Sequence, residues 1–295
     1  MRLGIMVSMN RLNTERRSQV IRCLVEGNSI RATVRMTGVA KNTVVKLLLE
    51  IGRACEEYQD KALRNLRSKR IQCDEIWSFV YAKQKNVTPE ISAKQVAGDV
   101  WTWTAIDADS KLIVSWMLGG RDAGTAKHFM NDLASRLASR VQLTTDGHRV
   151  YLNAVEDAFG SEVDYAMLVK IYGVDAAIDS KYSPAECIDC KPIAINGHPD
   201  PKHISTSYVE RQNLSMRMMM RRFTRLTNAF SKKVENHFAM LALYFFYYNF
   251  CRVHQTLRVT PSMEAGVTDH LWTIEEMVSI LRTKESEPET VGDSN

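Results

Sequence analysis

Between Leu12 and Glu26 the apolar residues Val20, Ile21, Leu24 and Val25 recur at helical spacing, and the run stops at Gly27-Asn28. Ser29 can cap a second short helix, SIRATVRMTG, that ends at Gly38. VAKNTVVKLLLEIG supplies a third, with Val44, Val45, Leu47 and Leu48 available for a core. The sharp Thr37-Gly38-Val39 turn between two short helices predicts a helix-turn-helix. The charged stretch Arg53 to Arg70 reads as a helical linker finishing in the basic run RNLRSKR.

At Ile71 the period shortens. IQCDEIWSFVYA reads as a strand, and VWTWTAIDADSKLIVSWMLG as two strands joined by a hairpin turn at Asp107-Ala108-Asp109-Ser110. DAGTAKHFMNDLASRLASR is an amphipathic helix with Ala126, Phe129, Met130, Leu133 and Leu137 on one side. VQLTTD predicts a short strand, HRVYLNAVEDAFG a helix and VDYAMLVKIYG another strand. This order matches a ribonuclease-H-like α/β fold, a mixed sheet with flanking helices, here preceded by an all-α helix-turn-helix domain. Residues 174–205 hold Pro184, Pro192, Pro199 and Pro201 with little periodicity and read as a loop insertion. Ser207 to Leu226 and Lys232 to Cys251 read as two long helices, and the tail KESEPETVGDSN as a disordered polar end. The expected division is a helix-turn-helix domain over 1–52, a basic linker over 53–70, a sheet domain over 71–256 and a C-terminal segment over 257–295.

Charge sharpens this picture. Residues 1–70 hold 15 Lys/Arg against 6 Asp/Glu, a surplus of nine in a chain whose net charge is +5, so the remainder carries about minus four. That asymmetry suggests a nucleic-acid-binding end on a more neutral body, with Lys41, Asn42, Thr43 and Lys46 facing the major groove of double-stranded DNA. No apolar run approaches the length that crosses a bilayer, the start lacks a signal-peptide pattern, and Cys23, Cys55, Cys73 and Cys251 are scattered among apolar neighbours, so the expected location is the cytoplasm. No GxGxxG, P-loop or nucleophile-elbow motif occurs, which argues against nucleotide-cofactor and serine-hydrolase classes.

Three acids stand in unusual surroundings. Asp74 lies among Ile71, Ile76 and Phe79, where a charge is costly without a cation. Asp146 ends VQLTT and is followed by Gly147, and Glu210 is the single acid among seven Lys/Arg between Thr206 and Lys233. Carboxylates on one strand, at the end of a second and on a later helix can grip two Mg²⁺ ions, or Mn²⁺ in their place, beside a phosphodiester. By strand alternation Glu75 is expected on the opposite sheet face from Asp74. On its helix Glu210 shares a face with Asn213, Leu214 and Arg217, which places Arg217 beside the same phosphates. Arg211, Arg221, Arg222 and Arg225 are further phosphate contacts by the same reasoning. Met216, Met218, Met219 and Met220 are expected against the sheet, and Trp77, Trp101, Trp103 and Trp116 in or near the core. Cys187-Ile-Asp-Cys190 could build a Zn²⁺ site with His198 and His203, although one CxxC is a weak signal.

With those residues in view, the chain resembles the DDE transposases of the insertion-sequence-one family over roughly residues 10–272. The most specific stretches are STSYVERQNLSMRMMMRRFTRLTNAFSKKVENH and YYNFCRVHQTLRVTPSMEAGV; the YxExxN core and NxxRxHxxLxxTP also resemble the wider integrase group. The resemblance implies that Asp74, Asp146 and Glu210 are the metal-binding triad, with Arg217 assisting. It implies binding to terminal inverted repeats, 3′-end cleavage and strand transfer, and a homodimer or larger assembly on DNA. Many members begin with a cysteine-containing zinc segment; no cysteine precedes Cys23 here. A non-catalytic DNA-binding regulator and a structure-selective nuclease of the same fold are the alternatives.

Overall fold

The computed structural model describes residues 12–173, 187–224 and 228–286. Helices α1 (Thr14–Val25), α2 (Ile30–Thr37) and α3 (Lys41–Ala62) come first. Asn13 Oδ1 caps α1 by accepting from the Arg16 amide at 2.9 Å, and Ser29 Oγ caps α2 by accepting from the Ala32 amide at 3.1 Å. Gly38 ends α2 at φ 68°, a left-handed conformation that glycine adopts without steric cost.

The helix α3 runs unbroken through Gly52, past the expected end of the first segment. It packs on α8 (Val234–Phe246), and at Gly52 there is no room for a side chain: a Cβ there would lie 2.6 Å from the Ala239 backbone. One continuous apolar cluster therefore joins the N-terminal helices to the rest, from Val20, Ile21 and Leu48 through Ile51 to Phe245 and Phe246.

Six strands form one sheet: β1 (Arg70–Val80), β2 (Gly98–Asp107), β3 (Ile113–Gly119), β4 (Val141–Asp146), β5 (Val163–Tyr172) and β6 (Cys187–Asn196). Their order is β3-β2-β1-β4-β5-β6. The β1–β4 and β4–β5 pairings are parallel and the other three antiparallel, so the mixed sheet expected from the periodicity is present. A short α4 (Pro89–Lys94) precedes β2; α5 (Ala123–Arg136) and α6 (Val150–Phe159) follow β3 and β4. Asp122 caps α5 at Thr125, and Ala126, Phe129, Met130 and Leu133 are its buried face. Trp103 is fully buried against Phe129 and Tyr151; Trp77, Trp101 and Trp116 are half-buried.

Two expectations change in the C-terminal half. Residues 187–196 form β6 at the sheet edge, where a loop was expected; both faces of this strand are exposed, so its sequence shows no alternation to read. The helix expected to reach Leu226 is α7 (Ser207–Met219), ended by an extended Met220 and a 3₁₀ turn over Arg221–Phe223. Met216 and Met220 are buried, whereas Met218 is 73% exposed. Beyond α8 the chain makes a π-helical turn over Tyr247–Cys251, then α9 (Pro261–Glu264) and α10 (Ile274–Ser286). The helix α10 packs on α1 and takes in the first residues of the expected disordered tail; 287–295 lie outside the described residues. Among the described residues no helix is long and apolar enough to cross a membrane.

Candidate metal centre

The parallel pairing of β1 with β4 ends at Cys73–Thr145. The next residues, Asp74 on β1 and Asp146 at the end of β4, lie where β1 continues without a partner on that side. Clefts at the C-terminal ends of parallel strands are where α/β sheets place ligands. Carboxylate oxygens of Asp74, Glu75 and Asp146 there lie within 4.8 Å of one another.

Each carboxylate is held differently. Asp74 Oδ1 accepts from the Glu75 amide at 2.9 Å, and Oδ2 accepts from Asn213 Nδ2 of α7 at 2.9 Å. Asp146 Oδ1 accepts from the His148 amide at 3.0 Å. Glu75, whose side chain is fully buried, accepts from Arg121 Nε at 2.7 Å and from the Tyr151 hydroxyl at 3.0 Å. The Tyr151 contact lies on α6 and the Asn213 contact on α7, in keeping with strand alternation between residues 74 and 75. Even so, the Glu75 carboxylate joins the cluster, because Asp146 stands at an open strand end that both faces reach.

Burial and crowding act on Asp74 and Glu75. Burial, then the charges of Asp146 and Glu75, push the Asp74 carboxyl up to about 7. Burial and Asp146 also raise Glu75, against the opposing pull of Arg121 and Tyr151. The Arg121 guanidinium rests over the Trp101 ring at 4.7 Å and reaches Asp146 at 3.9 Å, so it supplies part of the missing positive charge.

Glu210 on the first turn of α7 is not within that cluster. Its Oε1 lies 2.5 Å from Lys170 Nζ of β5 and accepts from the Thr206 hydroxyl. Lys170 also acts electrostatically on Asp74, and Asn213, one turn beyond Glu210, bonds Asp74 directly. Glu210 therefore stands beside the cluster with an ammonium as its partner. Arg217 is half-buried two turns farther along α7.

The donor set suits a hard divalent cation. All the clustered side-chain donors are carboxylate oxygens, and Asn213 Oδ1 beside Asp74 is buried without a hydrogen-bond partner. So is Thr104 Oγ1, on the residue paired across the strand from Asp74. Two orphaned oxygens next to crowded carboxylates are costly unless a cation or its ligands satisfy them.

Other candidates are dispersed. Lys41, Asn42 and Lys46 are exposed at the start of α3, with Thr43 half-buried. Arg211 and Arg221 are exposed; Arg222 is half-buried and donates from Nε to Ser231 Oγ at 2.6 Å. Arg225 lies outside the described residues. His237 is buried between Ser78 and Ser231, a packing role. His198 and His203 do not join the cysteines: the His198 amide donates to Asp164, and the His203 ring lies against Arg70. Sequence reasoning passed over Arg121 and Lys170. A lone lysine in the apolar strand VDYAMLVKIY was the available signal for the second.

No protein-family profile and no curated protein matches the chain. Among solved structures, the chain is similar to the piggyBac transposase in its synaptic complex with hairpin DNA, at a TM-score of 0.45 and 9% identity, covering 98% of this chain and 76% of that one. It is also similar to the Mos1 strand transfer complex, at a TM-score of 0.24 and 13% identity, covering 82% and 78%.

Proposed function

We propose that this chain is a DDE-type DNA transposase of the insertion-sequence-one kind, cleaving and rejoining phosphodiesters at the ends of a mobile element. The observation that carries the reading is the meeting of the Asp74 and Asp146 carboxylates at the open end of β4, with the Glu210 helix tied to Asp74 through Asn213. Asp74, Asp146 and Glu210 would hold two Mg²⁺ ions, which when bound supply an activated oxygen nucleophile and relief of charge on the transferring phosphate.

The protein's own groups prepare that site. Asn213 and the Glu75 amide fix the orientation of Asp74, and the His148 amide fixes Asp146. Arg121 balances charge at the cluster through its ion pair with Glu75 and its approach to Asp146. Arg211, Arg217 and Arg221, along and after α7, would contact DNA phosphates. Lys41, Asn42, Thr43 and Lys46, at the N-terminus of α3 after the Gly38 turn, would read the element ends as a helix-turn-helix. Joining two ends calls for at least two copies on DNA.

Labelled DNA carrying the element termini, incubated with purified protein and Mg²⁺, tests the reading. Nicks freeing a 3′ hydroxyl at the element boundary are expected. Asp74→Asn should abolish them while end binding in a footprinting assay persists. Uncut but footprinted DNA with the wild-type protein would instead identify a regulator, and cleavage surviving Asp74→Asn would remove the triad assignment.

A further inference from the structure

Cys187 and Cys190 are three residues apart on β6, a spacing that in a regular strand sends two side chains to opposite faces. The ladder slips between them: Tyr172 pairs with Cys187 but Ile171 pairs with Asp189, leaving Ile188 as the extra residue of a bulge. That one-residue slip returns Cys190 to the face of Cys187, and their sulfurs stand 3.6 Å apart. A disulfide would need about 2.05 Å. The edge of a zinc–thiolate tetrahedron, set by a Zn–S bond of about 2.3 Å, is about 3.8 Å. Both cysteines are exposed, on a strand exposed along its whole length.

A closed structural zinc site takes four ligands, and among the described residues these two sulfurs stand together without a third. The other cysteines, 23, 55, 73 and 251, are buried or half-buried. Residues 174–186, which lead into β6, contain neither cysteine nor histidine. Among the described residues no histidine or carboxylate joins the two sulfurs within metal-ligand reach.

We propose that Cys187 and Cys190 form half of a tetrathiolate zinc site, completed by the same two residues of a second copy of this chain. A two-fold axis through the metal makes the contact isologous, so one bulged strand supplies both halves. Each thiol gives up its proton to the solvent as it coordinates. Lys170, paired across from Cys190, offsets part of the negative charge of the thiolates. Ile188, the bulged residue beside Cys187, is exposed and gives apolar surface for the two copies to share. Pro192, which has no N–H, interrupts the strand's hydrogen-bonding capacity, so the metal rather than a long ladder is the joint.

The test uses the full chain, reduced and stripped of metal, titrated with Zn²⁺ and separately with Co²⁺ as a spectroscopic probe, with excess Mg²⁺ present throughout to fill the carboxylate cluster. Expected are uptake of one metal per two chains, tetrahedral cobalt bands with thiolate charge transfer, and a twofold rise in mass by sedimentation. Cys187→Ser and Cys190→Ser should each abolish the stoichiometric uptake, with the far-ultraviolet circular dichroism of the wild type retained. One metal per chain without a change in mass, no uptake, or uptake unaffected by either serine would overturn the proposal. No DNA is present, so this result stands apart from that of the cleavage assay.

Discussion

Lys170 Nζ lies 2.5 Å from Glu210 Oε1, so a strand-borne ammonium stands where the third proposed ligand meets the acidic cluster. The pair links β5 to α7, and Lys170 also acts on Asp74. A cation fixed by the fold repels an incoming one while it steadies the carboxylate.

Lys170→Met should therefore tighten divalent-cation binding about tenfold, a change of about 1.4 kcal/mol. Stability should move by less than about 1 kcal/mol, because both side chains are partly exposed. Calorimetric titration with Mn²⁺ reads the first effect and urea unfolding the second. Unchanged or weaker Mn²⁺ binding would count against Lys170 as a competitor.

The raised carboxyl of Asp74 predicts how stability follows pH in metal-free protein. Its folded pKa of about 7 exceeds the unfolded value of about 4, so the folded state binds more protons between those limits. This contribution is complete below about pH 4 and is lost as pH rises through 7. The stability of Asp74→Asn relative to wild type should rise across that window. Added Mg²⁺ should stabilise wild type more at pH 8 than at pH 5, since it binds the ionised form. Melting curves at matched ionic strength check both, and a pH-independent difference would contradict the assignment.

Glu75 is the one fully buried carboxylate of the cluster, and Glu75→Ala would leave Arg121 and the Tyr151 hydroxyl without their acceptor. A loss of about 2 kcal/mol is expected, below the range for fully buried pairs because Arg121 is partly exposed. Glu75→Gln keeps an acceptor for Tyr151 and should lose less than half of that. Equal losses in the two variants, measured by chemical unfolding, would argue that the charge facing Arg121, which both remove, holds this site and the retained acceptor does not.

Gly52→Ala tests the junction between the N-terminal helices and α8. The added methyl would meet Ala239 backbone atoms at 2.6 Å, and a backbone cannot move aside as a side-chain tip can. Overpacking costs about 1–3 kcal/mol, more than the gain of up to about 1 kcal/mol in helix propensity, so a net destabilisation is expected. Unfolding that is unchanged or more stable would mean that α3 and α8 do not approach this closely in solution.

Apart from α4 and β6, periodicity by itself determined the succession of helices and strands. It placed Asp74 within a strand, Asp146 at a strand end and Glu210 on a helix. These are local properties: the burial of one face leaves its period in consecutive residues, and caps such as Ser29 and Gly38 mark where the backbone turns. Alternation likewise separated Glu75 from Asp74 across the sheet.

Tertiary structure alone decided who meets whom. Glu75 reaches the cluster because β4 ends one residue after its last pairing with β1, and no sequence window contains that relation. Lys170 meets Glu210 because β5 lies beside β4 and α7 folds back onto β1, forty residues farther along the chain. β6 was unreadable because an edge strand exposed on both faces has no apolar period, and its Ile188 bulge exists only in the register with β5. Strand register and strand ends are agreements between distant segments, and the chemistry of this site depends on those agreements.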